Sequence, residues 1–282
     1  MYISLMPNTD KSSAPTTEYL SRPEGRIAFD VAGDGPLVLL VPGMGDLRAT
    51  YRFLRPALLA SGYRVATTDL RGHGDSDPTF TAYGDIETAS DLAALVEHLG
   101  GPAVLVGNSM GAGAAAYLAA DRPDLVSALV LVGPFVRNGS ISAFTRIMMR
   151  VALAAPWAAM SWKSYAPKLY AGTRPDDFDA YLPEVIASIR RPGYAAAFSR
   201  TTRTDHSQVE ARLGEVTTPT LVVMGEKDPD FPSPKTEADW IATALNASVV
   251  MVPEAGHYPQ SQRPELVAPA ITAFLAEAGI GG

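Results

Sequence analysis

Short apolar runs that stop abruptly at turn residues recur along this chain. Leu37–Val41 is unbroken and ends at Pro42-Gly43; comparable runs occupy Arg64–Thr68, Ala103–Val106, Ala128–Val132, Thr220–Met224 and Ser248–Val252. Such continuous runs suit strands covered on both faces, as in a parallel sheet. Ile27–Val31 is a further strand, and Gly33-Asp34-Gly35-Pro36 after it reads as a hairpin turn. Helical texture fills Phe53–Ser61, Ile86–Leu99, Gly111–Ala120 and Pro264–Ala278. This alternation predicts an α/β fold, a doubly wound and mostly parallel sheet with right-handed crossovers.

One interval breaks the alternation. Between Gly133 and Thr220 the texture is helical with no clear strand, which predicts an inserted helical domain over residues 135–214. The insert holds 10 of the 23 aromatic residues and carries 11 basic against 6 acidic residues, so it is net +5 while the remainder is net −12. Within it, Ile141–Trp162 carries Arg146 and Arg150 at i and i+4 among Met148, Met149, Trp157 and Trp162. The plain reading is that its apolar face closes over the core as a pocket roof. Lipid contact is the alternative, and membrane association is not expected. The core then comprises residues 19–134 and 215–282. Residues 1–18 read as a flexible lead-in without the apolar stretch of an export signal, so a cytoplasmic location is expected.

Composition narrows the chemistry. The 282 residues include no cysteine, which removes disulfides, thiolate metal sites and a cysteine nucleophile together. A net charge of −7 argues against binding nucleic acid through a broadly basic surface.

Nucleophilic chemistry has one strong candidate. Gly107-Asn108-Ser109-Met110-Gly111 lies between an apolar strand and an alanine-rich helix, the strand–turn–helix setting in which G-x-S-x-G carries meaning. A nucleophile in so tight a turn needs neighbours without a β-carbon, which Gly107 and Gly111 supply. Ser109 then sits at a helix N-terminus, where free N–H groups favour developing negative charge. A serine hydroxyl also needs a base. Of the four histidines, His98 closes a helix, His73 lies in a loop after a strand, and His206 stands beside Asp205 at a helix start. His257, just past the last strand, shares the carboxyl edge of the sheet with Ser109 and is the expected base. Asp228, after Thr220–Met224, is the expected partner of His257, with Asp230 as its rival. Gly111-Ala112-Gly113 imitates a dinucleotide fingerprint but begins after the elbow serine, so no nucleotide site is expected. Asn138-Gly139-Ser140 and Asn246-Ala247-Ser248 are chance matches to the glycosylation pattern.

In the chain order Ser, Asp, His, and in Val41–Gly45, Asp69–Asp75, Gly225–Asp228 and Gly256-His257, the chain resembles the α/β-hydrolase superfamily from Tyr19 onward. The resemblance implies an α/β-hydrolase fold with a helical cap, no cofactor and no metal. It also implies an oxyanion hole from the backbone N–H groups of Met44 and Met110. Pro42 stands where many members have the histidine of His-Gly, so a side chain that often braces this turn is missing. The expected activity is a serine hydrolase of small esters or lactones, acting on a small molecule with a carbonyl centre. C–C hydrolysis of the meta-cleavage type, perhydrolysis and a signalling receptor are the alternatives. Asn108, Trp157, Trp162 and Arg190 are the expected substrate contacts, Arg190 or Arg191 serving an anionic substrate.

Overall fold

The computed structural model describes residues 16–139 and 143–282; the expected lead-in falls mostly outside them. Eight strands form one sheet: β1 Glu18–Arg22, β2 Gly25–Ala32, β3 Leu37–Val41, β4 Arg64–Thr68, β5 Ala103–Asn108, β6 Val126–Val132, β7 Thr220–Gly225 and β8 Ser248–Val252. Their order is β1-β2-β4-β3-β5-β6-β7-β8. The β1–β2 and β2–β4 pairs are antiparallel and every other pair is parallel. The turn at Gly33–Pro36 does not close a hairpin. It leads from β2 into β3, which are held apart by β4, and the true hairpin is β1–β2.

The apolar runs divide by residue parity, as a pleated strand requires. Leu39, Val41, Leu105, Leu129, Leu131 and Val222 face one side. Against them pack α2 (Asp85–His98), α3 (Met110–Asp121) and α9 (Pro234–Leu245). Val38, Leu40, Val104, Val106, Val130 and Val223 face the other side, under α1 (Leu54–Ala60) and α11 (Pro264–Glu277). The short α10 (Pro259–Gln262) precedes α11.

Between β6 and β7 the chain forms α4 (Ala143–Ala152), α5 (Ala158–Leu169), α6 (Phe178–Arg190), α7 (Tyr194–Thr201) and α8 (Ser207–Arg212). Helices α5, α6 and α7 build a small core of their own around Trp162, Tyr170, Tyr181, Ile189 and Phe198, which also takes in Tyr258 from beyond β8. Val209 of α8 and the neighbouring Leu213 instead join the main core under α3. Among the described residues, none of helix α4 joins either core. Phe144, Ile147, Met148 and Val151 are all at least half exposed, so the pocket roof expected of Ile141–Trp162 is not built by α4.

Candidate active site

Four strand ends deliver the site. Ser109 follows β5 and begins the turn into α3 with φ +56° and ψ −122°, a strained left-handed conformation for a residue with a β-carbon. The neighbouring glycines let the chain close tightly around it. A β-carbon on Gly107 would lie 2.6 Å from Ala112 Cα, one on Gly111 2.7 Å from Val41 O, and one on Gly43 2.8 Å from Ser109 Cβ. The turn after β3 therefore packs directly on the serine.

His257 and Asp228 are both buried, and His257 Nδ1 lies 2.7 Å from Asp228 Oδ2. Asp230 Oδ2 is 3.8 Å from the same nitrogen; its other oxygen takes the Tyr165 hydroxyl, and its N–H donates to Asp228 Oδ1 over 3.0 Å. Asp228 is therefore the nearer of the two carboxylates to the imidazole. Burial presses the His257 imidazole towards neutrality. The charge and hydrogen bond of Asp228, helped by Asp230 and Asp46, outweigh it and raise the pKa to about 9. These three residues also bring ligand atoms within 4.8 Å of one another, a spacing open to a cation. However, Nδ1 is already held by Asp228 and Asp230 is turned to Tyr165, so the arrangement reads as an imidazole–carboxylate pair with a flanking acid.

Ser109 and His257 are tied through Asn108. Its fully buried amide donates to Val132 O and to His257 O, each at 3.1 Å, and so braces the edge. Among the described residues no hydrogen bond joins Ser109 Oγ to His257; such contacts commonly tighten only around a substrate. The N–H groups of Met44 and Met110 also have no hydrogen-bond acceptor among the described residues, which leaves both free as donors beside the serine.

Trp162 is buried and donates its indole N–H to Gly45 O over 2.8 Å, and Gly45 has φ +73° with room for no β-carbon, which would lie 2.6 Å from that ring. Tyr181 donates to Asp46 Oδ1 over 2.5 Å. Together they brace the Gly43–Asp46 turn from the insertion. Burial raises the Asp46 pKa. Leu169 O accepts the His257 N–H over 2.8 Å, and Tyr170 stacks on Tyr258 with centroids 4.6 Å apart.

Two expected contacts are elsewhere. Trp157 is 42% exposed and donates to Val151 O, because it begins α5 on the outer side. Arg190 is exposed at the end of α6, and its neighbour Arg191 is held by Gly74 O and stacks on Tyr194. Sequence reading did not find Phe135, whose ring lies 5.7 Å from His257, 5.1 Å from Phe231 and 5.8 Å from His206. Nor did it find that His206 Nδ1 is 2.6 Å from the buried Asp85 Oδ2, an acid whose pKa burial raises. These partners are more than 70 residues apart and have no local signature.

An elbow serine and an imidazole–carboxylate pair at the carboxyl edge of such a sheet define the class of α/β hydrolases. The chain belongs to the alpha/beta hydrolase family, whose model matches residues 38–270. It is 31% identical over 262 residues to a 2-(acetamidomethylene)succinate hydrolase from Mesorhizobium japonicum, covering 89% of this chain and 92% of the relative. A thermophilic esterase from Thermogutta terrifontis superposes with a TM-score of 0.74 at 28% identity, covering 94% of this chain and 99% of that one. A bromoperoxidase from Bacillus anthracis gives 0.80 at 22% identity, covering 93% and 100%.

Proposed function

We propose that this chain is a serine hydrolase that cleaves small neutral esters or lactones through an acyl-enzyme. The observation that carries the reading is the buried 2.7 Å His257–Asp228 pair at the sheet edge where Ser109 sits in a strained elbow. Ser109 Oγ attacks the carbonyl carbon while His257 Nε2 takes its proton. The oxyanion is met by the N–H groups of Met44 and Met110, and His257 passes the proton to the departing alkoxide. Water then attacks the acyl carbon, with its proton taken by His257 and returned to Ser109. Asp228 holds the imidazole and stabilises its cation. The inserted helices act as the cap of this site.

Neutral substrates are favoured because the arginines that join the two regions are already engaged. Arg52 is held by Asp177, Arg137 by Glu237, Arg191 by Gly74 O, and Arg200 by Phe80 O. His206 is held by Asp85. A second reading, hydrolysis of an anionic substrate, is supported by the Mesorhizobium relative, whose name denotes a succinate derivative.

A fluorophosphonate probe tests the first reading. It is expected to label one serine, and Ser109→Ala is expected to abolish labelling and lower turnover of a short-chain ester by about 10⁶-fold. Labelling elsewhere overturns the assignment. Faster turnover of a succinate-type substrate than of any neutral ester selects the second reading.

A further inference from the structure

Helix α4 is amphipathic in the wrong direction for a helix that covers a core. Phe144, Ile147, Met148 and Val151 stand at i, i+3, i+4 and i+7 and so form one stripe. That stripe is the exposed side: Phe144 is 73% and Ile147 57% accessible. Trp157 and Met160, at the start of α5, extend it, and the Trp157 indole is fixed to the end of α4 through Val151 O. A contiguous apolar surface of this kind on a folded chain marks a contact site.

The charge around the stripe identifies the partner's chemistry. From Leu125 to Pro175 the sequence contains six basic residues and no acidic one, although the whole chain is net −7. Arg150, Lys163 and Lys168 are exposed and form no ion pair among the described residues. An apolar stripe with an indole at its margin and unpaired cations alongside is the pattern of a helix lying in the interface of an anionic bilayer. A second copy of the chain fits less well. The other large exposed apolar residues, Tyr19, Tyr165 and Leu266, are scattered, so a copy would have to meet the stripe with its own stripe. That isologous contact sets the cations of both copies against each other. No helix among the described residues is long and apolar enough to cross a membrane, so the contact is peripheral.

We propose that the α4–α5 edge docks the protein reversibly on an anionic lipid surface. The apolar stripe enters the headgroup boundary, and Arg150 and Lys163 meet lipid phosphates. The inference is independent of the reaction assigned above.

The test is co-sedimentation of the full chain with phosphatidylcholine vesicles, with or without one-fifth phosphatidylglycerol, at low and at physiological salt. Binding to the anionic vesicles is expected to exceed binding to neutral ones by about tenfold or more at low salt, and salt is expected to weaken it. The double variant Phe144→Ser, Met148→Ser is expected to lose binding to both. Arg150→Glu with Lys163→Glu is expected to lose only the anionic increment. An unchanged circular dichroism spectrum and thermal transition in each variant report that the fold is intact. Failure of the wild type to pellet with anionic vesicles at low salt overturns the proposal, as does binding that the variants leave unchanged. Lipid-free self-association that is abolished by Phe144→Ser, Met148→Ser assigns the stripe to a second copy and likewise overturns it.

Discussion

The two faces of the inserted helices differ more from each other than the insertion differs from the sheet. Its inner side, the buried residues of α5 to α7, forms a small core and holds the site by hydrogen bonds: Trp162 to Gly45, Tyr181 to Asp46, and Leu169 to His257. Its outer side, α4, adds no residue to a core among the described residues and exposes the apolar stripe. The same segment thus holds the Gly43–Asp46 turn and presents an outward surface. Substitutions on the inner side should register in turnover, and those on the outer side should not.

The largest effect expected at the inner boundary is at Asp228. Asp228→Asn is expected to lower turnover by about 10⁴-fold with the fold retained, because the imidazole loses the partner that fixes its tautomer. Asp230→Asn, 3.8 Å away and partly exposed, is expected to cost far less. The pH profile carries the same information. His257 acts as a base only when neutral, and its pKa is raised to about 9, so the acid limb of kcat/KM is expected above the ordinary 6.5 and to fall in Asp228→Asn. If Asp230→Asn is the more damaging change, the two acids exchange roles.

The joint between the two regions contains a second buried imidazole. His73 Nδ1 is 3.0 Å from Arg71 O, its ring meets Phe198 of α7 edge-on, and its Nε2 has no partner. Burial lowers its pKa to about 4, so between 6.5 and 4 the unfolded chain binds a proton that the native chain does not. Stability is therefore lost as pH falls through that window, by up to about 3 kcal/mol from this group. Denaturant unfolding at pH 7.5 and pH 4.5 is expected to show that loss, and His73→Gln to reduce it. An unchanged pH dependence in the variant would mean that other groups set the acid limit.

Much of this was legible in the sequence, for a definite reason. Strands covered on both faces are mostly apolar, so β3, β5, β6 and β7 stand out as nearly unbroken runs; Ser109 and Asp228 are found by counting from the ends of β5 and β7, and His257 from the end of the half-buried β8. The edge strand β1, Glu-Tyr-Leu-Ser-Arg, is largely exposed and carries no such mark. The glycines at 33 and 35 signal a change of direction, but they do not say that β4 will lie between the two strands they join. Bonds such as Tyr181–Asp46 and Arg52–Asp177 join residues more than 100 positions apart, and a single sequence has no term for them. The segment Ile141–Trp162 divides, with Trp162 turned inward onto Gly45 and α4 turned outward, because periodicity reveals an apolar face without revealing which way it turns.

Trp162 offers a finer cut at the inner side. Trp162→Phe keeps most of the ring packing against Phe198 but removes the indole N–H from Gly45 O. A hydrogen bond of this kind contributes about 1 kcal/mol, so steady-state kinetics are expected to show a roughly five- to tenfold lower kcat with KM nearly unchanged. A rise in KM alone would make Trp162 a substrate contact instead of a brace on the oxyanion turn.

The smallest effect is expected on the outer side, and it is the most discriminating. Truncating a core residue such as Leu105, fully buried in β5, is expected to cost about 2–5 kcal/mol. Phe144, larger but 73% exposed, leaves no cavity when shortened, so Phe144→Ser is expected to change stability by less than about 0.5 kcal/mol. Chemical denaturation of the two variants side by side checks this. A cost at Phe144 of the size expected at Leu105 would mean that α4 packs against the protein in solution, and the division between a gripping inner side and an unpartnered outer side would have to be withdrawn.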